Sequence, residues 1–192
     1  MRVSTTSPPS AVAVLDGAVA WTLERLQAAR AQPLSQPTPC GEWDLGRLLA
    51  HLNEALVAIG EAAELGRITL DQPGRGDGEQ LVDRIIERAC RARAAWLRRL
   101  TSAPVGVGDL TLGRDTVVLV GALEIVVHGW DVSQATGECR TIPAELAVRL
   151  YGVATAVVTP DERGRRFGPV VPVPADAPVA TRLLAHLGRG GG

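Results

Sequence analysis

Glu124 and His128 are the residues of this sequence whose types and spacing most clearly predict chemistry. Both lie in the segment GALEIVVHGWD (121–131), which is otherwise largely apolar. Side chains four positions apart lie on one face of an α-helix, so this spacing predicts that the two project side by side. A buried carboxylate without a partner is costly or takes up a proton. An arginine, a hydrogen-bond network or a metal ion could relieve it, and these two residues alone fit a buried polar pair equally well.

His51 favours the metal interpretation. The chain has three histidines, and His51 lies on a second predicted helix, about 60° around the axis from Leu48 and at the edge of its apolar stripe. If the two helices pack together, His51, Glu124 and His128 converge. Two imidazoles and one carboxylate form a typical open zinc site that leaves one position for water or substrate, and other divalent metals suit the same ligands.

Asp131 lies three residues beyond His128, one turn along the same helix face. Its carboxylate could hydrogen-bond a histidine ligand from behind and so orient it, as happens in many metal sites. A cap at the surface of the fourth helix is an equally good interpretation. Both interpretations remain open at this point.

Helices must position these residues, and apolar periodicity predicts helices along most of the chain. Stripes at helical spacing, separated by proline- and glycine-rich breaks, predict helices near 10–31, from Asp44 through Ile59, and near 81–100, 116–136 and 143–158. The fourth is apolar all round in its first half, so we expect it at the centre of a bundle. A short helix near 178–187 and a frayed RGGG tail are expected to close the chain.

The connecting segments complete the fold prediction. DQPGRGDG (71–78) is typical of a loop, and SAPVGVGDLTLGRD (102–115) has room for a short extended piece. FGPVVPVPADAP (167–178) can donate few backbone hydrogens, so we expect an extended surface segment. We predict an all-α fold: a four-helix bundle over about 10–137, with an additional C-terminal helix and extended segment over 138–188, in a single domain spanning 1–192.

The amino-acid composition limits the classes of partner and reaction that the protein can have. The 192 residues are 46% hydrophobic and 21% charged with a net charge of −1, so nothing favours binding to nucleic acid or to an anionic membrane. Every basic residue is arginine, which excludes a lysine Schiff base and a Walker-type phosphate loop. Three widely spaced cysteines form no disulfide framework and no CxxC motif. We expect a cytoplasmic monomer or homodimer that acts on a small molecule.

Two segments resemble a known family. TPCGEWDLGRLLAHL (38–52) and EIVVHGWDVSQATG (124–137) are similar to the signature segments of the mycothiol-dependent maleylpyruvate isomerase family, a branch of the DinB-like metal-binding helical bundles. The ending FGPVVPVPADAPVATRLLAHLGR (167–189) resembles that of an actinobacterial subgroup. The resemblance implies a DinB-like four-helix bundle in which His51, Glu124 and His128 bind a divalent metal, usually taken as Zn²⁺.

The resemblance also implies a chemistry. In the family the metal keeps a low-molecular-weight thiol, mycothiol, deprotonated, and the thiolate attacks an electrophilic carbon in S-transfer or in the cis–trans isomerisation of maleylpyruvate. Coordination to a metal lowers the pKa of a thiol, so such a nucleophile can exist at neutral pH. Two alternatives stay open: a non-catalytic metal-binding bundle that serves as a binding or stress protein, and a thiol-free enzyme such as a cyclase that uses the same pocket.

Overall fold

The helix that carries Glu124 and His128, α4 (Arg114–Ala135), is the central helix of the fold. The computed structural model describes residues 9–69, 80–164 and 167–190. Of the 22 residues of α4, 15 are buried. A helix that is apolar on every side must be surrounded by other elements. By length and composition α4 would suffice to cross a membrane, but 78% of its most apolar stretch is buried inside the protein, as in the core helix of a soluble protein.

Three further helices complete the bundle: α1 (Ala11–Ala29), α2 (Leu45–Leu65) and α3 (Leu81–Arg98). The residues that precede α1 and α2, Ser10 and Asp44, each accept a hydrogen bond from a backbone N–H in the first turn, at 3.2 and 2.8 Å. Such caps satisfy donors that the helix itself leaves unpaired, so they fix where each helix begins.

The central helix packs against α1 and α2, and α3 packs against the same two helices. Two glycines of α4 allow the close approach. A Cβ atom on Gly121 would lie 2.1 Å from Cδ1 of Ile59 on α2, and one on Gly129 would lie 2.5 Å from Oγ1 of Thr22 on α1. These contacts bring the backbone of α4 near both neighbours, which places the α2 side chains within reach of those on α4.

A small three-stranded sheet packs beside helix α2 of the bundle. It contains β1 (Arg67–Ile68), β2 (Val105–Val107) and β3 (Leu110–Leu112), with β1 parallel to β2 and β2 antiparallel to β3. The hairpin of β2 and β3 confirms the extended piece predicted within 102–115. Strand β1 is only two residues long, too short for any periodic pattern to show it.

The C-terminal additions pack outside the bundle. Helix α5 (Ala144–Val157) contacts α4 and α1, and α6 (Val179–His186) packs on α5. A single 3₁₀ turn spans Pro160–Glu162. Residues 167–178 form an irregular surface segment in which the Val171 N–H donates to the Ala185 carbonyl at 3.0 Å.

The predicted all-α fold, with its extra helix and extended segment, is confirmed, and the helices lie close to their predicted bounds. One expectation is wrong. The tail was predicted to fray from Arg189 onward, yet Arg189 is only 8% exposed. Arg189 is buried because its guanidinium donates two hydrogen bonds to the buried carboxylate of Asp131. The predicted loop at 71–78 lies outside the described residues.

Candidate metal centre

Three side chains from two helices converge where α2 packs against α4. Nε2 of His51 lies 3.6 Å from Oε2 of Glu124, and Nε2 of His128 lies 3.3 Å from the same oxygen. The two imidazole rings are nearly perpendicular, with centroids 4.9 Å apart. The structure therefore brings together the three residues that the sequence singled out, and it does so by the helix packing on which that hypothesis depended.

The three side chains differ in exposure. His128 is 7% exposed, whereas the side chains of His51 and Glu124 are 35% and 31% exposed. The cluster is therefore closed on the side of α4 and open to solvent on the side of His51 and Glu124. An outside ligand would therefore approach the cluster from the side of His51 and Glu124.

Asp131 holds His128 from behind. Its Oδ2 lies 3.0 Å from Nδ1 of His128, and its side chain is fully buried. Because an ionised carboxylate only accepts, Nδ1 carries a proton, and Nε2, which faces Glu124, is the nitrogen that can bind either a second proton or a metal ion. The interpretation of Asp131 as a surface cap is therefore wrong. A lone pair that faces a carboxylate oxygen is stabilised when a cation lies between them.

A proton can serve as that cation. Burial would lower the pKa of His128, but hydrogen bonds with Asp131, Cys40 and Glu124 raise the pKa well above its ordinary value. Burial would raise the pKa of Glu124, but the contacts with His128 and His51 outweigh burial and hold the pKa well below its ordinary value. At neutral pH the site thus contains an anionic carboxylate that attracts positive charge.

Asp131 has a second partner in Arg189. The guanidinium makes a two-pronged contact with the carboxylate: Nε to Oδ1 at 3.0 Å and Nη2 to Oδ2 at 2.8 Å. Burial would raise the pKa of Asp131, but its hydrogen bonds with His128 and Arg189 lower it. A buried carboxylate with this geometry stays ionised, because each oxygen accepts charge-assisted hydrogen bonds.

A second group of metal-ligand types, Cys40, His128 and Asp131, also lies close together. Here the positive charge is already supplied by the protein. Nη2 of Arg189 donates to Sγ of Cys40 at 3.5 Å as well as to Asp131. The guanidinium thus satisfies this group, so the cluster of His51, Glu124 and His128 is the better candidate for a metal ion.

Trp43 forms an aromatic wall beside the cluster. Its ring centroid lies 5.0 Å from that of His51 in an edge-on arrangement and 6.3 Å from that of His128, nearly parallel to it. The guanidinium of the exposed residue Arg47 lies 5.1 Å from the Trp43 ring centroid.

The donor set fits a divalent cation. Two imidazole nitrogens and one carboxylate oxygen are ligands that Zn²⁺ accepts, and three protein ligands are the usual number in a catalytic zinc site. The outer hydrogen bond from His128 to Asp131 is also typical of such sites, where it fixes the tautomer of the ligand. The partial exposure of His51 and Glu124 leaves a direction from which an outside ligand can approach.

A separate cavity of about 240 Å³ lies between the C-terminal end of α4 and α6. Its walls include Trp130, Arg140, Thr181 and Arg189, but none of the three converging residues. It contains no cluster of titratable groups comparable to theirs. The open cluster is therefore the better candidate for a functional site than this cavity.

Two residues near the site escaped prediction from the sequence, Arg189 and Arg47. The sequence also allowed Cys40 to approach the site, although a small buried thiol was the favoured interpretation, and the structure places its Sγ beside Arg189. Arg47 precedes His51 by one helical turn, so the i, i+4 spacing was an available signal. A buried Asp131 also implies a cation nearby. Nothing in the local sequence indicates that this cation is an arginine 58 positions further along the chain.

The sequence was compared with protein families, with curated proteins and with solved structures. Residues 15–133 match a family described as the mycothiol maleylpyruvate isomerase N-terminal domain. The chain is 33% identical over 175 residues to two proteins of Mycobacterium tuberculosis, uncharacterized protein MT0763 of strain CDC 1551 / Oshkosh and uncharacterized protein Rv0738 of strain H37Rv, and each alignment covers 85% of this chain and 89% of the relative. No solved structure matches the chain. The matched range includes His51, Glu124, His128 and Asp131 and ends before Arg189.

Proposed function

Because this chain belongs to the family of the mycothiol maleylpyruvate isomerase N-terminal domain, a branch of the DinB-like helical bundles, we propose that it is a metal-dependent enzyme of thiol chemistry. It presents a low-molecular-weight thiol of the mycothiol type to a small electrophilic substrate. One observation carries the proposal: the Nε2 atoms of His51 and His128 both lie within 3.6 Å of the same Glu124 oxygen, at a position open to solvent.

In this proposal His51, Glu124 and His128 hold a divalent ion, Zn²⁺ in the first instance. Bound zinc lowers the pKa of a coordinated thiol, so that the thiolate is available at neutral pH. Glu124 offsets part of the positive charge, and Asp131 keeps the Nε2 lone pair of His128 directed toward the ion. The charge of the site suits a cation, because the Glu124 carboxylate has a depressed pKa, stays anionic at neutral pH and faces two imidazoles.

The surrounding residues define how a substrate approaches. The apolar residues of α4 exclude water from the buried side of the cluster, and Trp43 offers a flat wall to an unsaturated or planar molecule. Arg47 gives the solvent side a positive charge. A positive charge here attracts small anionic electrophiles without excluding neutral ones.

Two reactions use the same nucleophile. In S-transfer the thiolate attacks an electrophilic carbon and either expels a leaving group with its electron pair, such as the bromide of monobromobimane, or adds to a double bond whose other carbon then takes up a proton. The carbon–sulfur bond persists, so one thiol is consumed for each turnover. In cis–trans isomerisation the thiolate adds to a carbon–carbon double bond, the resulting single bond rotates, and expulsion of the thiolate restores the double bond without net consumption. Measuring thiol consumption therefore distinguishes the two reactions.

The cellular setting is also part of the proposal. Cys40, Cys90 and Cys139 are free thiols, as expected of a protein in the reducing cytoplasm. We propose a cytoplasmic protein, monomeric or homodimeric, whose partners are small molecules and not nucleic acid or membrane.

The test combines metal analysis with turnover. Purified protein is analysed for bound metal, titrated with mycothiol by calorimetry, and then incubated with zinc, mycothiol and the broad electrophile monobromobimane. The proposal expects bound metal, thiol binding that requires it, and thiol-dependent turnover. Metal and thiol binding without turnover would support a non-catalytic binding protein. Bound metal without thiol binding would favour a thiol-free enzyme such as a cyclase.

A further inference from the structure

We propose that Arg189 is a positioning residue of the metal centre: it fixes the Asp131 carboxylate, which in turn orients His128 for the ion. This inference rests on the proposed function, because it assigns Arg189 a part in metal binding at that site. It also extends the site beyond residues 15–133, the range that matches the family.

The contacts form a continuous chain. Arg189 donates two hydrogen bonds to Asp131, at 3.0 and 2.8 Å, and Asp131 accepts one from Nδ1 of His128 at 3.0 Å. Oδ2 of Asp131 is shared by Arg189 and His128. A shift of the carboxylate would therefore rotate the imidazole and move its Nε2 relative to Glu124.

Burial makes the arginine necessary. The side chain of Asp131 is 0% exposed and that of Arg189 is 9% exposed. A carboxylate removed from water needs a cation or several donors, and His128 supplies a full charge only when it is protonated. Arg189 supplies two donors and a permanent positive charge to this carboxylate, and His128 adds one donor through Nδ1. Arg189 thus allows Asp131 to stay anionic while His128 serves as a ligand.

The end of α6 delivers Arg189 to this position. Gly188 has φ of +80°, the left-handed conformation that glycine adopts without strain, and a Cβ there would lie 2.9 Å from Cα of Gly168. The backbone N–H of Arg189 donates to the Leu184 carbonyl at 2.9 Å, and Nη1 donates to the Leu187 carbonyl at 3.2 Å. The residue is therefore held by the helix cap and does not belong to a loose tail.

Zinc affinity provides the test, measured by competition with a chromophoric chelator on full-length protein. Loss of the direct hydrogen-bond partner of a metal ligand, here Asp131, costs roughly 10- to 100-fold in affinity. Arg189 acts through Asp131, so we expect Arg189→Met to weaken zinc binding measurably and by no more than Asp131→Asn does. Arg189→Lys should recover part of the loss, because lysine keeps the charge but not the two-pronged geometry. Arg182→Met is the matched control: Arg182 belongs to the same segment, its guanidinium lies over the Tyr151 ring, and its loss should leave the affinity unchanged.

A double-mutant cycle separates positioning from general stability. If Arg189 acts through Asp131, the double variant Asp131→Asn with Arg189→Met should bind zinc no more weakly than Asp131→Asn alone. Arg189→Met alone leaves the buried Asp131 carboxylate without its cation. The double variant replaces that carboxylate with a neutral amide, so it should fold even if Arg189→Met does not. In the cobalt-substituted proteins, the visible d–d bands of Arg189→Met should differ from those of the wild type, and those of Arg182→Met should not.

The outcomes distinguish the two proposals. Wild-type affinity and an unchanged cobalt spectrum in Arg189→Met would overturn the role of Arg189 and leave the metal site standing. Additive losses in the cycle would do the same. If the wild-type protein binds no divalent metal, the proposed function and this inference both fail.

Discussion

Nε2 of His51 and Oε2 of Glu124 lie 3.6 Å apart although they belong to different helices, α2 and α4. Helix packing alone brings them together, because the backbone of α4 approaches α2 at Gly121, where Ile59 occupies the space that a Cβ would need. The candidate metal site is thus a direct consequence of the bundle core. Changes to the ligands and changes to the packing should have different effects, and these effects can be measured.

Replacing either histidine should abolish metal binding without unfolding the helices. His51→Ala and His128→Ala each leave two ligands, which is too few for a stable zinc site. We expect metal content to fall from close to one ion per chain to near zero, by elemental analysis, with the helical circular-dichroism signal retained. His186→Ala is the control, because His186 lies beside Tyr151 and away from the cluster. Full metal content in both ligand variants would exclude this site.

Glu124→Gln tests the charge of the third ligand at nearly constant volume. The neutral amide cannot replace an anionic donor shared by two imidazoles. We expect zinc affinity to fall by more than the roughly 10- to 100-fold cost of losing an outer hydrogen-bond partner. Glu64→Gln, a similar change on the exposed face of α2, should leave the affinity unchanged. Equal affinities in the two variants would show that Glu124 is not a ligand.

Gly121→Ala tests the packing that creates the site. The added methyl group would lie 2.1 Å from Cδ1 of Ile59, so α2 and α4 must separate slightly or Ile59 must change rotamer. Overpacking of this kind costs about 1–3 kcal/mol in the free energy of unfolding, measured by urea denaturation. If the helices separate, zinc affinity falls as well, because His51 moves away from Glu124. A variant as stable as the wild type would show that this contact is looser than described.

Metal-free and metal-loaded protein should respond to pH in opposite ways. The pKa of His128 is raised in the metal-free fold, so its contribution to stability is fully present below the unfolded-state pKa of about 6.5 and is lost as the pH rises through the folded-state pKa. Metal binding requires the neutral ring, so zinc stabilises the fold more as the pH rises from about 6 to about 8. Thermal unfolding midpoints with and without zinc across this range should diverge. Parallel curves would contradict the competition between proton and metal at His128.

The sequence predicted the cluster of His51, Glu124 and His128 because most of the signal lies in the local spacing of residues along single helices. The i, i+4 spacing of Glu124 and His128 survives any rearrangement outside α4, and the apolar surroundings required that helix to be central. The placement of His51 required one assumption, that α2 and α4 pack together, and the structure satisfies it. Whether these residues bind metal stays a prediction.

Arg189 shows where sequence reasoning fails. Its glycine-rich surroundings favour a frayed tail, and only the packing of α6 on α5 brings it to Asp131. That position depends on how α5 packs against α4 and α1 and how α6 packs on α5, which no local pattern encodes. Long-range contacts of this kind follow from the tertiary fold, so Asp131 could be recognised as a polar residue on a buried helix while its partner could not.

The central claim is that a metal ion at His51, Glu124 and His128 binds the sulfur of a small thiol. It is tested most directly by titrating the cobalt-substituted protein with mycothiol and recording the near-ultraviolet spectrum. Direct coordination predicts a sulfur-to-cobalt charge-transfer band that saturates with the thiol, together with proton release on binding, and Glu124→Gln should show a weak band or none. Tight cobalt binding without such a band, for mycothiol or any other cellular thiol, would contradict the account.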